Sequence, residues 1–480
     1  MPEKTYDVAI IGAGVVGCSV ARELSRFKLS IAVVEKESDV AEGASGANSG
    51  VIHTGFKEPK LSLKALYCSE GNRRFPEIAR ELDVPYKKVG TYTVGETIED
   101  LKKLEKLKEA GEAAGAIGLR ILEEKELKQR EPHVKGNFAL LAPEGGITDP
   151  HEYTIALAEN AAQNGVIFYF NNEVKKIKRK DGLYTLDSGK TKIKAKIVVN
   201  SAGVQAGKIA ELAGNRKHAV NACRGEYLVL DKKTSNLITG MIYPMPPEKT
   251  GGIGVHLTPT IGGNIIIGPT AEYINCLEDT STTAERISEL VDGARFLVPE
   301  INPKHVIHEY SGLRAKTVKA GEANKGDFII EENPGMFIQL IGIESPGLTA
   351  APVIADKVRE IVGRHLKLEP NKKFNPKRNK RLKFSQLSDA EKEELIKKNP
   401  DYGIVVCRCE QVTKGEIIES LRNPLGVGTL KGIRIRTRAG MGRCQGSFCM
   451  PKIMEIFREL NIKELTLKGC ESSICVRDLR

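Results

Sequence analysis

The stretch YDVAIIGAGVVGCSVARELSRFK, residues 6–28, constrains this chain more than any other, because an apolar strand pattern runs into a glycine turn and straight on into a helical pattern. Gly12 permits the tight turn, Gly14 lets backbone approach a pyrophosphate, and Gly17 lets helix pack on strand, with Ala13 and Val15 filling the cradle between them. The helix N-terminus then faces the phosphate charge. Glu35, with Lys36 after it, closes the next strand pattern, and a carboxylate there accepts from ribose hydroxyls and disfavours NADP.

The fingerprint alone leaves FAD and NAD open. After it comes a small-residue loop, GASGANSGVIHTG (residues 43–55), whose backbone can run flat against a ring system; it offers Ser45, Asn48, Ser49, Gly50 and Val51 as cofactor contacts. VVNSAG returns the chain to the nucleotide at Ala202 and Gly203, with Val174 ahead of it. Near residue 345, SPGLTAAP places Gly347, Leu348 and Thr349 at a helix start, after Gly342. That dipole end suits the charge gathered by a reduced flavin.

A chain of 480 residues exceeds one core. Strand and helix patterns alternate over residues 6–36 and again from GVIFYF to AKIVVNSAG, with a polar helical stretch near residues 97–130 between them. Residues 223–268 switch to short strands with turn signals, which predicts a mostly antiparallel sheet. The expected architecture is a Rossmann-like dinucleotide domain (about 1–85, 140–215 and 325–365) interleaved with a β substrate domain (about 86–139 and 216–324), then a linker over 366–402 and a small domain over 403–480.

The net charge of +11 is concentrated in residues 366–384, which carry eight Lys or Arg against one Glu. This run reads as a solvated linker, with an acidic protein or an anionic membrane surface as its other uses. Charge placed this way does not make a nucleic-acid groove. No run of about 18 apolar residues occurs, and the strand pattern starts too early for a signal peptide. A cytoplasmic protein is expected, with membrane association only indirect.

Cys407, Cys409, Cys444 and Cys449 form C-x-C and, further on, C-x4-C. Four thiolates hold zinc or a [2Fe-2S] cluster. Structural zinc favours C-x2-C knuckles, which neither half shows, and Arg408, Arg438 and Arg443 add charge that favours thiolates. Cys470 and Cys475 read as incidental, since the first four complete a ligand set.

As a set, GAGVVG, GANSGVIHTG, CRGEYLVL, GVHLTPTIGGNIIIGPT, SGLRAK and IESPGLTAAP resemble the D-amino-acid oxidase superfamily of FAD enzymes, and within it the glycerol 3-phosphate oxidases and dehydrogenases. TRAGMGRCQGSFC is similar to the [2Fe-2S] domain found beside nitrite reductases and at the end of anaerobic glycerol 3-phosphate dehydrogenase A subunits. The resemblance implies FAD, a [2Fe-2S] cluster and a small anionic hydroxy substrate. It gives His53 the role of base, Arg314 that of anion clamp, and Ser49, Ser345 and His256 places beside the substrate. It also implies a hetero-oligomer with another flavoprotein or iron-sulfur subunit. An L-2-hydroxyglutarate or other 2-hydroxy acid dehydrogenase, an amino-acid dehydrogenase and a non-catalytic electron-transfer subunit are the rival readings.

Overall fold

The computed structural model describes residues 5–246, 254–322 and 326–462, so Cys470 and Cys475 lie outside the described residues. Strand Thr5–Ile11 is the centre of an eight-stranded sheet, flanked in parallel by Ile31–Val34 and Lys192–Asn200. Ile11 lies opposite both Val34 and Asn200, so three strands end together where the glycine turn begins. Strand Phe337–Ile341 adds in parallel to the last part of Lys192–Asn200. The inner strands are buried on both faces, as parallel sheets covered by helices require.

Helices Val15–Leu24, Leu63–Glu81, Pro150–Gln163 and Gly347–Gly363 cover one face and share one core. Pro150–Gln163 starts cleanly because Asp149 accepts from the N–H groups of His151 and Glu152 and Pro150 takes the first position. Gly71 sits where helix Leu63–Glu81 crosses Gly347–Gly363, and a Cβ there would lie 2.0 Å from Thr349 O.

The second sheet has nine strands and is antiparallel apart from one parallel pair, Met241–Tyr243 with Thr91–Gly95. Its longest pair, Asn221–Leu230 with Val306–Lys316, sets Arg314 opposite Cys223. The stretch near 97–130 is not one helix: strand Arg120–Glu123 separates Ile98–Ala113 from Glu124–Arg130. Gly115 and Gly118, at φ of 93° and 75°, turn the chain in between.

The basic segment 366–384 is not a solvated linker throughout. It straps the first domain: Asn371 N–H donates to Arg26 O, Arg378 N–H to Glu81 O, and Asn160 Nδ2 to Asn375 O. Arg378 is 5% exposed, bonding Glu152 at 2.6 Å and Glu159 at 2.8 Å. Buried charges persist only when paired in this way. The strap leads through helix Asp389–Lys398 into a small domain built on helices Lys414–Leu421, Leu430–Thr437 and Met450–Glu459. No helix among the described residues is long and apolar enough to cross a membrane.

Candidate active site and cysteine centre

The glycine turn admits little but glycine. Gly12 has φ of 100° and a Cβ there would meet Ser201 O at 2.6 Å; one on Gly17 would lie 2.0 Å from Gly12 O. Ser45 Oγ accepts from Val15 N–H at 2.9 Å at the helix N-terminus, beside Gly14. Glu35 Oε2 accepts from Ala13 N–H at 2.7 Å and Oε1 from Glu37 N–H at 2.9 Å, so its carboxylate braces the turn. Burial raises its pKa against those two N–H donors. Lys36 turns aside to Glu37 and Glu278.

Asn48 folds the small-residue loop, its Nδ2 donating to the carbonyls of Ala44 and Ser45 while its Oδ1 accepts from Gly50 N–H. Ser49 lies between them, and Gly50, at φ of 68°, turns the chain into the strand holding buried Val51. Val174 is buried against Tyr6, Ile11 and Val34, with Ala202 packed on the same cluster and Gly203 opening the next turn at φ of 57°. Gly342, at φ of 68°, leads to the helix that starts at Gly347, and Leu348 packs on the main core.

The loop and the late helix meet at His53. Its N–H donates to Thr349 Oγ1 at 3.0 Å, and its Nε2 lies 3.4 Å from Ser345 Oγ. Desolvation pushes its imidazole down to about 4, with the nearby Lys57 charge adding to the effect. The ring is thus a neutral acceptor at physiological pH. Glu344, just before Ser345, is clamped by Lys64 at 2.7 Å and Lys316 at 2.8 Å, which fixes the turn carrying the serine. His256 is 2% exposed and lies within electrostatic reach of His53, Lys57 and Arg314.

Arg314 is less free than an anion clamp should be. Its Nη2 donates to Thr270 O and, at 3.4 Å, to Arg224 O, and its Nε to Cys223 O at 3.5 Å. Its hydrogen bonds among the described residues use Nε and Nη2 only. Lys57, Tyr243 and Glu344 escape a sequence reading; the one local signal is the lysine four residues after His53.

The four cysteines come together in two pairs. Cys409 Sγ lies 3.7 Å from Cys444 Sγ, and Cys407 hydrogen-bonds Cys449. Burial opposes ionisation of Cys444, but N–H donors from Phe448 and Gly446 outweigh it and hold the thiol below its usual range. Burial and the charge of Cys407 push Cys449 up to about 12. Among the described residues no three His, Cys, Asp or Glu converge as a single-ion site, whereas thiols in two pairs suit a two-iron cluster, in which each iron takes two. A Cβ on Gly442 would lie 2.3 Å from Cys409 Cβ, so the cradle is as specific as the nucleotide turn.

Two of the three arginines expected to supply charge are otherwise engaged: Arg438 with Glu410 at 2.9 Å and Arg443 with Asp231 at 2.6 Å. Arg434, not expected, hydrogen-bonds Gln445 at 3.0 Å and feels the charge of Cys449. Arg408 is exposed between the first two cysteines.

A glycine cradle for pyrophosphate, a small-residue loop meeting a helix N-terminus, and a thiol centre on a separate domain define a flavin-dependent oxidoreductase fused to an iron-sulfur module. The chain belongs to the FAD dependent oxidoreductase family, whose model matches residues 7–361, and a BFD-like [2Fe-2S] binding domain occupies residues 405–459. Its cofactors are accordingly FAD and a [2Fe-2S] cluster. It is 42% identical over 464 residues to a glycerol 3-phosphate dehydrogenase of Caloramator mitchellensis, covering 95% of each chain. It is 31% identical to a mitochondrial L-2-hydroxyglutarate dehydrogenase of Arabidopsis thaliana, over 74% of this chain and 83% of that one. Among solved structures it is similar to dithionite-reduced L-alpha-glycerophosphate oxidase from Mycoplasma pneumoniae with FAD bound, at a TM-score of 0.73 and 32% identity, covering 78% of this chain and 99% of that one. The expected fold, an FAD-binding domain interleaved with an antiparallel substrate sheet and succeeded by an iron-sulfur domain, is the one observed.

Proposed function

We propose that this enzyme oxidises sn-glycerol 3-phosphate to dihydroxyacetone phosphate, with electrons leaving through the cysteine centre to a partner protein. The FAD supplies the hydride acceptor and the [2Fe-2S] cluster a one-electron outlet. The observation that carries the reading is the pairing of neutral His53 Nε2 with Ser345 Oγ at 3.4 Å beside the helix N-terminus at Gly347. His53 Nε2 takes the proton of the substrate hydroxyl while Ser345 orients that oxygen, and the Glu344 clamp holds the serine in place. Lys57, Arg314 and the neighbouring backbone make the pocket positive for an anionic substrate.

Phe448 supports the outlet: it is 80% exposed, directly before ligand Cys449, and Arg408 and Cys409 are exposed on the same domain. Such a surface suits a docking redox protein, so a hetero-oligomer with a flavoprotein or iron-sulfur subunit in the cytoplasm is the assembly we propose. The relatives that oxidise L-2-hydroxyglutarate favour one rival substrate. Anaerobic titration of the flavin spectrum decides between them: bleaching by glycerol 3-phosphate is expected, and bleaching by L-2-hydroxyglutarate alone would overturn the assignment.

A further inference from the structure

The substrate sheet has two buried faces of opposite character. On strands Thr91–Gly95, Met241–Tyr243 and His256–Pro259, Ile242 lies opposite Leu257 and Tyr243 beside Thr93. Strand alternation sends Tyr92, Val94, Ile242 and Leu257 into one apolar core with helix Ala284–Leu297. The other face carries Thr93, Tyr243, His256 and Thr258, each 2% exposed or less. Thr93 Oγ1, Tyr243 Oη, His256 Nε2 and Thr258 Oγ1 have no hydrogen-bond partner among the described residues. Buried polar atoms without partners are rare and costly, so four on three adjacent strands mark a wall whose hydrogen bonds a ligand completes. Tyr243 packs in one cluster with Val51, and His256 lies within electrostatic reach of His53 and Arg314, so the wall borders the proposed oxidation site.

The four groups carry no formal charge. The Tyr243 and His256 rings stack with centroids 4.1 Å apart and planes within 13°. The partner of the His256 ring is Gly254 O, 3.5 Å from Nδ1, which leaves Nε2 of the neutral ring an acceptor. Burial first holds that ring neutral, its pKa pushed down to about 3, and burial raises the Tyr243 phenol above its usual range. The three hydroxyls donate as well as accept. The Lys57 ammonium stands over the flat of the Tyr243 ring, 3.9 Å from its centroid, and is not one of these groups. An alcohol meets both needs of such a wall, accepting from a hydroxyl and donating to the imidazole nitrogen. A carboxylate donates nothing and would lay a buried negative charge against the Nε2 lone pair.

We propose that Thr93, Tyr243, His256 and Thr258 form the subsite for the substrate's terminal hydroxyl, the uncharged hydroxymethyl group next to the carbon that is oxidised, and that they turn away a second carboxylate at that end. The inference rests on the oxidation assigned above and goes further by naming the groups that recognise the uncharged end.

The test uses the FAD-loaded full chain and two substrates, sn-glycerol 3-phosphate and (R)-2-hydroxypropyl phosphate, which has a methyl group in place of the hydroxymethyl. Anaerobic stopped-flow reduction of the flavin gives the apparent second-order rate for each. Wild type is expected to favour glycerol 3-phosphate by at least about a hundredfold. Tyr243→Phe and the isosteric Thr258→Val, with FAD content and Tm retained, are each expected to cut that preference by about tenfold, chiefly by slowing glycerol 3-phosphate. Equal rates on the two substrates in wild type, or a preference within twofold of wild type in both variants, would overturn the subsite while leaving the oxidation standing. A wild-type enzyme reduced by L-2-hydroxyglutarate and by neither phosphate removes the proposed activity instead. L-2-hydroxybutyrate and its 4-hydroxy derivative then judge the subsite: a preference for the derivative that Tyr243→Phe abolishes upholds it, and no preference overturns it.

Discussion

Arg436 Nη2 donates to Asp39 Oδ1 at 2.8 Å while Nη1 takes the other carboxylate oxygen, and both side chains are fully buried although they lie 397 residues apart. Arg436 belongs to the cysteine domain and Asp39 to the loop after the nucleotide strand. Glu159 lies 3.8 Å from Arg436 Nε and also receives Arg378 and Arg381 from the strap. With Glu152, which pairs Arg378 at 2.6 Å, three arginines and three carboxylates lock strap, nucleotide domain and cysteine domain together. A swinging electron-delivery arm would not be built this way.

Arg436→Met leaves Asp39 buried without its partner, and losses of this kind cost about 3–5 kcal/mol. The expected outcome is a lower midpoint in urea and new protease cleavage between residues 366 and 402, where the strap is released. Asp39→Leu added to Arg436→Met should recover much of the stability, because the lone buried charge is then gone. Unchanged urea and protease profiles in the single variant would show that the lock does not hold the domains.

The glycine cradle is legible in the sequence because close backbone approach within one short turn dictates residue type at Gly12 and Gly17, where a Cβ would meet Ser201 O and Gly12 O. His53 is legible for a similar reason, being the one ionisable side chain in a loop of small residues. Tyr243 is not, because only the pairing of its strand with His256–Pro259 brings it against His256 and Lys57. The strap reads falsely as linker because its counter-charges, Glu152 and Glu159, stand 226 and 219 residues earlier in a helix that otherwise reads as core. Likewise, no periodicity reveals that Arg438 and Arg443 are taken up by Glu410 and Asp231.

His53 and His256 are held neutral in the folded enzyme, at about 4 and about 3, chiefly by burial. Unfolded, both regain a value near 6.5. Between those limits the unfolded chain binds more protons, so both histidines make stability rise with pH: their contribution is fully present above about 6.5 and is lost as pH falls towards 4 and 3. Melting of the holoenzyme between pH 7.5 and 5 should therefore drop more steeply in wild type than in His53→Asn or His256→Asn. Identical slopes in all three proteins would show that neither ring is kept neutral.

Gly71→Ala reaches the site from outside it. The added methyl would lie 2.0 Å from Thr349 O, and Thr349 Oγ1 holds the backbone N–H of His53. Helix Gly347–Gly363 must move to make room, and His53, the proposed base, moves with it. Misplacement of about 1 Å costs roughly a hundredfold in rate, so flavin reduction by substrate should slow by one to two orders of magnitude with FAD still bound. Stopped-flow absorbance on the FAD-loaded variant measures this; wild-type rates would mean that the two helices adjust without disturbing His53.

The FAD dependent oxidoreductase domain and the [2Fe-2S] binding domain are separate, so the proposed substrate oxidation and the proposed electron delivery should be separable by one substitution. Cys407 and Cys449 are each 2% exposed and packed into the small domain's core, so Cys449→Ser puts a harder, poorly matched ligand at a thiolate position without opening a large cavity. Iron and acid-labile sulfide should fall to near zero in anaerobically purified protein. The nucleotide cradle and His53 are built by other elements, so FAD content and turnover with a dye that takes electrons from flavin should persist. Transfer to a protein acceptor through the cluster should vanish. If the dye-linked activity were lost together with the iron, the cysteine domain would be needed to build the oxidation site; full retention of iron and sulfide would remove Cys449 from the ligand set.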